Sequence, residues 1–490
     1  VVTPPRAPSE LQISQTAGSQ ITLIWRNNAP DVTSFKIERA LGTPSGFAEA
    51  DTVAKTATTY ADTRVTEGQK YYYRVRAAVR ANLSDPSEVV WAIATTNATP
   101  SAPSSPQPEN EAAEIAEGTI TLRWTATDPD AGDTILYDVY FGKVRNELEL
   151  IAEAITETQV TPSETLVPNA HYFWQVKGRD PKGAMGVSPI WGFSSRVERL
   201  SIPEGWLLMG QRMTSDDFHH PGLPIHVDAF EIDRYEVTNQ QLVDLLNLAL
   251  RRRSPLVTTS GGKVYDAGGT VLYALTQEAN VNSQITYSRT DSLFTTLSGK
   301  ESFPAIEVTW DGADFYAQWY GRRLPTEAEW EMAARGNEAG EYGDSTFTVG
   351  PDSARVQITV GFGRPYPWGA ELDPKRANYS GSGDPYEGQG RVHTTPVGFY
   401  DGTAHGGYQT LDGSSPFGVA DMAGNVWEWT ADWYGPYSNP HNPPFVGTQR
   451  IIRGGGWTKG GGSVNTWNRS IVLPETPDWG VGFRTVKSLR

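Results

Sequence analysis

The spacing of apolar positions changes character part-way along the chain. In the first part it has a period of two. In Ile21-Thr22-Leu23-Ile24-Trp25 the residues Ile21, Leu23 and Trp25 share one face, and in the run Tyr71 to Ala77 the residues Tyr71, Tyr73, Val75 and Ala77 share another. Turn signals such as Glu67-Gly68 separate these runs, and about seven short strands within residues 11–97 predict a β-sandwich. The pattern then returns. Ile120 to Trp124 echoes the first tryptophan strand, Tyr137 to Phe141 follows, and Tyr172 to Val176 echoes the tyrosine strand, which predicts a second sandwich over residues 119–196. Residues 1–10, with Pro4, Pro5 and Pro8, read as an extended segment. Residues 98–118, with Pro100, Pro103, Pro106 and Pro108, read as a semi-stiff linker. After Phe193 the alternation gives way to helices with recognisable caps. Thr238 to Gln241 fits a capping box ahead of a stripe of Leu242, Leu245, Leu246 and Ala249, with Pro255 as the stop. Thr309 is a second cap, and Thr326 to Glu329 a second capping box, with Gly336 placed to end that helix. From there the domain of residues 197–490 shows little periodicity, so its loops need something other than repetitive secondary structure to hold them.

The early tryptophan and the late Tyr-x-Tyr-x-Val-x-Ala run resemble a fibronectin type III domain, with Tyr71 at the place of its tyrosine corner, and the second copy shares the resemblance. The predicted architecture is therefore multidomain: two all-β immunoglobulin-like sandwiches, then an irregular domain. A length of 490 residues suits two to four domains. With 16 Trp, 21 Tyr and 16 Phe the cores can be large, while 49 Gly and 34 Pro imply much turn and loop. Mean hydropathy of −0.44 and a pI near 5.0 describe a soluble, acidic chain. Its net charge of −16 argues against nucleic acid or an anionic membrane as the main partner and favours cations. No run is long enough to span a bilayer, and the opening Val1-Val2-Thr3-Pro4-Pro5 has no leader pattern, so it reads as a mature chain. The absence of cysteine removes disulfides, thiol nucleophiles and thiolate ligands. In the loop Asp128-Pro129-Asp130-Ala131-Gly132-Asp133, the abundance of Asp and Gly favours a solvated turn over a calcium loop.

Gly424 to Trp433 sets Glu428 and Asp432 among Trp427, Trp429 and Trp433. A carboxylate between large apolar rings loses hydration, so Glu428 must shift its pKa or find a cation. Arg453, Arg469 and Arg484 follow downstream and are candidate partners; a bound metal is the other, since Asp421, Gly424 and Val426 supply an oxygen-rich set just upstream.

Seven motifs run in order along this region: Met209-Gly210, Glu236-Val237-Thr238-Asn239, Arg323 to Glu331, Tyr366-Pro367-Trp368-Gly369, Gly424 to Trp429, Arg453 to Trp457 and Gly482-Phe483-Arg484. Together they resemble the formylglycine-generating enzyme (sulfatase-modifying factor) family. The resemblance implies a compact, irregular α+β domain of C-type-lectin-like fold with two calcium sites. One would use the side chains of Asn378 and Asp384 with the carbonyls of Tyr379 and Tyr386. The other would use the side chains of Asp421 and Glu428 with the carbonyls of Gly424 and Val426. Hard oxygen ligands of this kind suit calcium.

The same resemblance implies a pair of reactive cysteines after the Arg-Gly-Gly motif, and here the chain departs from it. The corresponding stretch is Thr458-Lys459-Gly460-Gly461-Gly462-Ser463-Val464-Asn465, which offers no soft ligand, so formylglycine formation and copper are not expected. Related ergothioneine sulfoxide synthases use histidine-ligated iron. Of the seven histidines here only His219-His220 are adjacent, and with no third ligand nearby they read as a loop pair. Gly454 to Gly456 and Gly460 to Gly462 lack the context of a phosphate loop and read as close backbone packing, and Lys459 among glycines reads as exposed. Trp433 to Tyr437 and Trp479 could stack on sugars or fill a core. The first hypothesis is a non-catalytic, secreted or surface-attached bacterial protein. In it two spacers carry a lectin-like domain that binds a glycan, another protein or further copies of the chain, with assembly into a fibre or matrix. The second is an oxidoreductase on the same scaffold with a cysteine-independent site.

Overall fold

The computed structural model describes residues 4–80, 82–95, 97–130, 132–145, 147–210, 223–251, 257–258, 262–266, 269–274, 280–290, 292–337, 344–349, 355–361, 363–388, 390–435 and 447–489. His219-His220, Pro255, Pro436-Tyr437 and Val1 to Thr3 lie outside them. The chain divides into two compact units, Val1–Arg196 and Val197–Arg490. Among the described residues no helix is long and apolar enough to cross a membrane.

The first unit is all β. Alternation decides its faces: Ile21, Leu23 and Trp25 on the strand Gln20–Arg26, and Tyr71, Tyr73, Val75 and Ala77 on Lys70–Val79, all point into one core with Phe35 and Ile37. Gln20–Arg26 pairs with Ser9–Ala17 and Thr59–Asp62, while Lys70–Val79 pairs with Ser34–Leu41, Asn82–Leu83 and Val90–Ile93. The first strand begins at Ser9, inside the segment expected to be extended and separate. A second pair of sheets encloses Trp124, Tyr137, Tyr172, Trp174 and Phe193. The Tyr71 hydroxyl accepts a hydrogen bond from the Thr66 N–H at 2.9 Å, and Tyr172 accepts one from Val167 at 2.9 Å, so each tyrosine ties down the turn five residues before it.

The spacer reading of residues 98–118 needs correction. Ser104–Gln107 pairs with Leu122–Thr125, and Ala112–Ile115 runs parallel to Trp191–Ser195, so both belong to the second pair of sheets. Each lies at the end of its strand order. An edge strand needs hydrogen bonds on one side only, which is why Pro106 is tolerated there.

In the second unit the predicted helices form. Helix α1 spans Asn239–Arg251, α2 Trp310–Trp319 and α3 Glu327–Arg335. Thr309 accepts from the Gly312 N–H, and Thr326 and Glu329 make the reciprocal pair of a capping box, with Gly336 closing α3 at a φ of 72°. The apolar stripe of α1 packs against Trp427, Trp429 and Phe483. Trp330, Met332 and Ala333 of α3 pack instead on Ile202, Leu207 and Phe230. Between the two cores runs a sheet in the order Arg469–Val472, Arg450–Arg453, Trp427–Trp433, Val481–Gly482. Its arginines hold α3: Arg453 reaches Glu327 at 3.0 Å and Glu331 at 2.5 Å, Arg469 reaches Glu327 at 2.7 Å, and within the helix Arg335 reaches Glu331 at 2.6 Å.

Candidate functional site

The strand Trp427–Trp433 carries Glu428 into the space between the cores, where it is wholly buried. Of the arginines proposed for it, Arg484 is the partner: Nε donates to one carboxylate oxygen and Nη2 to the other, both at 2.7 Å, and the Trp330 indole donates a third bond at 2.8 Å. The guanidinium is itself buried and donates further to the carbonyls of Asp233, Arg234 and Ala420. Such a forked pair is the geometry in which a buried ion pair best offsets its desolvation.

One guanidinium does not balance this pocket. Asp421 and Glu236 are also buried there, so three carboxylates face one arginine. Asp421 accepts from the Gly398 N–H at 2.5 Å. Burial pushes its carboxyl up to about 6, the Gly398 bond and Arg484 working against that rise and Glu428 adding to it. Glu236 accepts from the Asn425 side chain at 2.8 Å and from the Val426 N–H at 3.3 Å. Burial first, then Asp421 and Glu428, hold its carboxyl well above the usual range. Glu236 belongs to the Glu-Val-Thr-Asn motif but gave no sign of its role, because nothing in its neighbourhood along the chain marks it as buried. A hard divalent cation here would be held by Asp421, Glu428 and the carbonyls of Gly424 and Val426, beside Glu236, and would share Glu428 with Arg484 and Trp330, which already bond both of its oxygens.

The loop of the other predicted site is tied to this one. Asn425 donates its N–H to the Asn378 carbonyl at 2.8 Å, and Gly424, at a φ of 88°, comes so close that a Cβ there would lie 2.2 Å from that oxygen. Only glycine fits. Asn378 donates its side chain to the His393 carbonyl at 2.7 Å, and the Tyr379 carbonyl accepts from Ser382 at 2.9 Å. Asp384 already has four donors: the N–H groups of Tyr386 and Glu387 on one oxygen, and the hydroxyls of Ser382 and Tyr400 on the other. The ring of Tyr386 packs edge-on against Phe303 and Phe399. The structure thus brings Asp421 and Glu428 together with Glu236 around Arg484, with the Val426 N–H on Glu236 and Gly424 against Asn378, and holds Asn378, Tyr379, Asp384 and Tyr386 in an adjoining loop where Asp384 is already paired.

Where the family's reactive cysteines would fall, a short 3-10 turn over Gly461–Ser463 is flanked by exposed Lys459 and Gly460. Gly455 and Gly461 are close-packed as expected, a Cβ lying 2.6 Å from the Ser463 carbonyl and 2.3 Å from Leu372, whereas Gly460 and Gly462 face open space. Trp457 is buried edge-on against Trp479, which stays 39% exposed and so keeps a free ring edge at the surface.

Residues 194–489 match the Sulfatase-modifying factor enzyme 1-like domain family. The chain belongs to this family. Among its relatives, the formylglycine-generating enzyme of Thermomonospora curvata is 30% identical over 305 residues, covering 57% of this chain and 88% of that one. The Serine/threonine-protein kinase pkn1 of Chlamydia caviae is 30% identical over 302 residues, covering 60% of this chain and 38% of the kinase. Among solved structures, PvdO from Pseudomonas aeruginosa aligns with a TM-score of 0.40 at 21% identity, over 60% of this chain and 95% of that one. The sulfatase-modifying-factor domain here has no cysteine anywhere in it.

Proposed function

We propose that the protein is a non-catalytic, extracellular or cell-surface bacterial protein in which two fibronectin type III-like sandwiches carry a calcium-stabilised, lectin-like interaction domain. The observation that carries this reading is the replacement of the family's thiol pair by Thr458 to Asn465, in a chain without cysteine. No group there can form a disulfide with a substrate thiol or hold Cu(I) as thiolate. The hydroxyl bonds of Tyr71 and Tyr172 support the fibronectin-like assignment, since both repeat the tyrosine-corner arrangement of such sandwiches. Calcium at Asp421 and Glu428 is supported by the three buried carboxylates around one guanidinium; at the Asn378–Asp384 loop, the other site the family resemblance implies, an ion would have to displace donors that Asp384 already has.

The partner of the domain is a surface glycan, another protein or a further copy of the chain. Self-association into a fibre or matrix is the version that can be tested without knowing a ligand. Ser9–Ala17 lies at the end of its strand order; its C-terminal part is taken by a bridge from Thr16 to Asn97, and its N-terminal part offers an edge to an added strand. Purified protein with calcium should form particles larger than a monomer by light scattering and microscopy, and removal of residues 1–9 should reduce them. A chain that stays monomeric at high concentration rules out assembly. Incubation with a cysteine-containing sulfatase peptide, with and without copper, should leave the cysteine intact by mass spectrometry; an aldehyde product would return the protein to the enzymes.

A further inference from the structure

A second group of oxygens lies far from the family's site in sequence, where the first sandwich hands over to the second. The carboxylates of Asp128, Asp130 and Asp133 each place one oxygen within 4.8 Å of the others. Two of them share Lys182, at 3.6 Å from Asp130 and 3.2 Å from Asp133. By itself such a loop is an acidic turn. What sets it apart is Asn97, which arrives from the first sandwich and is only 5% exposed. Its Nδ2 donates to Asp180 at 2.5 Å, and the N–H of the next residue, Ala98, donates to Asp130 at 2.9 Å, so Asn97 and Ala98 together bridge Asp180 and the loop. Asp180 is fixed in turn by the N–H groups of Lys182, Gly183 and Ala184, at 2.7 to 3.0 Å.

Three oxygens at this junction are buried without a hydrogen-bond partner: Asn97 Oδ1, Asp128 Oδ2 and Asp133 Oδ2, the last facing the Lys182 ammonium at 3.2 Å. A buried acceptor left unsatisfied costs roughly 1–3 kcal/mol, so each calls for a donor or a cation. A water could serve any one of them but would leave the repulsion among the carboxylates in place. Four carboxylates against Lys182 leave the junction strongly negative. A cation answers both needs. Oxygens of mixed type, part carboxylate and part amide, at irregular angles, suit calcium better than the strict octahedron of magnesium.

We propose that Asp128, Asp130, Asp133 and Asn97 Oδ1 form a calcium site that fastens the end of the first sandwich to the 128–133 loop of the second. The bound ion adds to contacts that already join the two sandwiches there, among them the Ile93 N–H to the Lys182 carbonyl at 3.1 Å, so the stiffness of the joint depends on calcium. This site is independent of the one near Glu428, and it stands or falls without it.

The test uses the full chain, stripped with chelator, and calcium chloride alone as the probe. Hydrogen exchange followed by mass spectrometry should show slower exchange on adding calcium in peptides covering residues 95–100 and 126–134. Equilibrium dialysis should find one fewer bound calcium in the double variant Asp128→Asn/Asp133→Asn than in the parent. Calcium-independent exchange in those peptides, or an unchanged stoichiometry in the folded variant, would overturn the site. Should the double variant fail to fold, the exchange measurement on the unaltered chain decides alone.

Discussion

Glu428 and Arg484 are 56 residues apart in sequence and joined by two parallel hydrogen bonds, with both side chains fully buried. Removing one partner leaves the other charged and buried, which typically costs about 3–5 kcal/mol. Glu428→Gln and Arg484→Met should therefore each destabilise strongly. The double variant should lose much less than the sum, and a thermodynamic cycle from chemical denaturation measures that coupling. Additive losses would mean that the pair is not the main partnership of Glu428. The sequence showed that this acid needs a counter-charge, because three tryptophans around it were visible in ten residues. It could not say which arginine answers, since that choice depends on how the last strands cross the sheet. Arg453 and Arg469 were equally placed by number and turned instead to Glu327 and Glu331. Glu236 was invisible for the same reason: its burial comes from Asn425, on a loop nearly two hundred residues later.

Helix ends were legible because their chemistry is local. A threonine and an acid three residues apart satisfy each other's backbone whatever the rest of the chain does, and Thr326 with Glu329 shows that arrangement. Thr326→Ala should cost about 1 kcal/mol, within the usual 0.5–2 kcal/mol for a lost cap, whereas Thr326→Ser should be close to neutral. Thermal melts of the two variants check this; equal losses would show that the threonine methyl, not its hydroxyl, matters. Strand faces were legible too, since period two fixes which side chains point inward. The strands Ser104–Gln107 and Ala112–Ile115 escaped notice because both are short and only half-buried at best, and because Pro100, Pro103, Pro106 and Pro108 before and within the first of them and between the two read as a spacer. Their place is decided by the partners Arg123 and Phe193, not by their own composition.

At the scale of the whole molecule, the buried acids couple stability to pH and, on the proposed reading, to calcium. In the unfolded chain these carboxyls ionise near 4. In the folded protein Asp421 is pushed up to about 6, Glu307 to about 7 by burial and by Asp478, and Glu236 rises as well. A raised acid holds more protons folded than unfolded, so stability falls as pH climbs through that window. Below about 4 both states are protonated and the penalty vanishes; for Asp421 it is complete once pH passes about 6 and for Glu307 once it passes about 7, at about 1.4 kcal/mol for each unit of displacement. Calcium bound at Asp421 and Glu428, as proposed, would reverse the sign for that cluster, because the ion would bind the ionised form and compete with protons. Without calcium the unit of residues 197–490 should thus melt at lower temperature at pH 8 than at pH 5. Added calcium should raise the pH 8 value strongly and the pH 5 value little. Glu307, hydrogen-bonded to Asn280 at 2.6 Å and outside the proposed cation set, supplies the control. Glu307→Gln should recover part of the pH 8 loss in chelator while leaving the calcium increment unchanged. If melting at pH 8 is the same in chelator and in calcium, the buried carboxylates carry protons rather than a metal, and the arginine is the only cation the cluster requires.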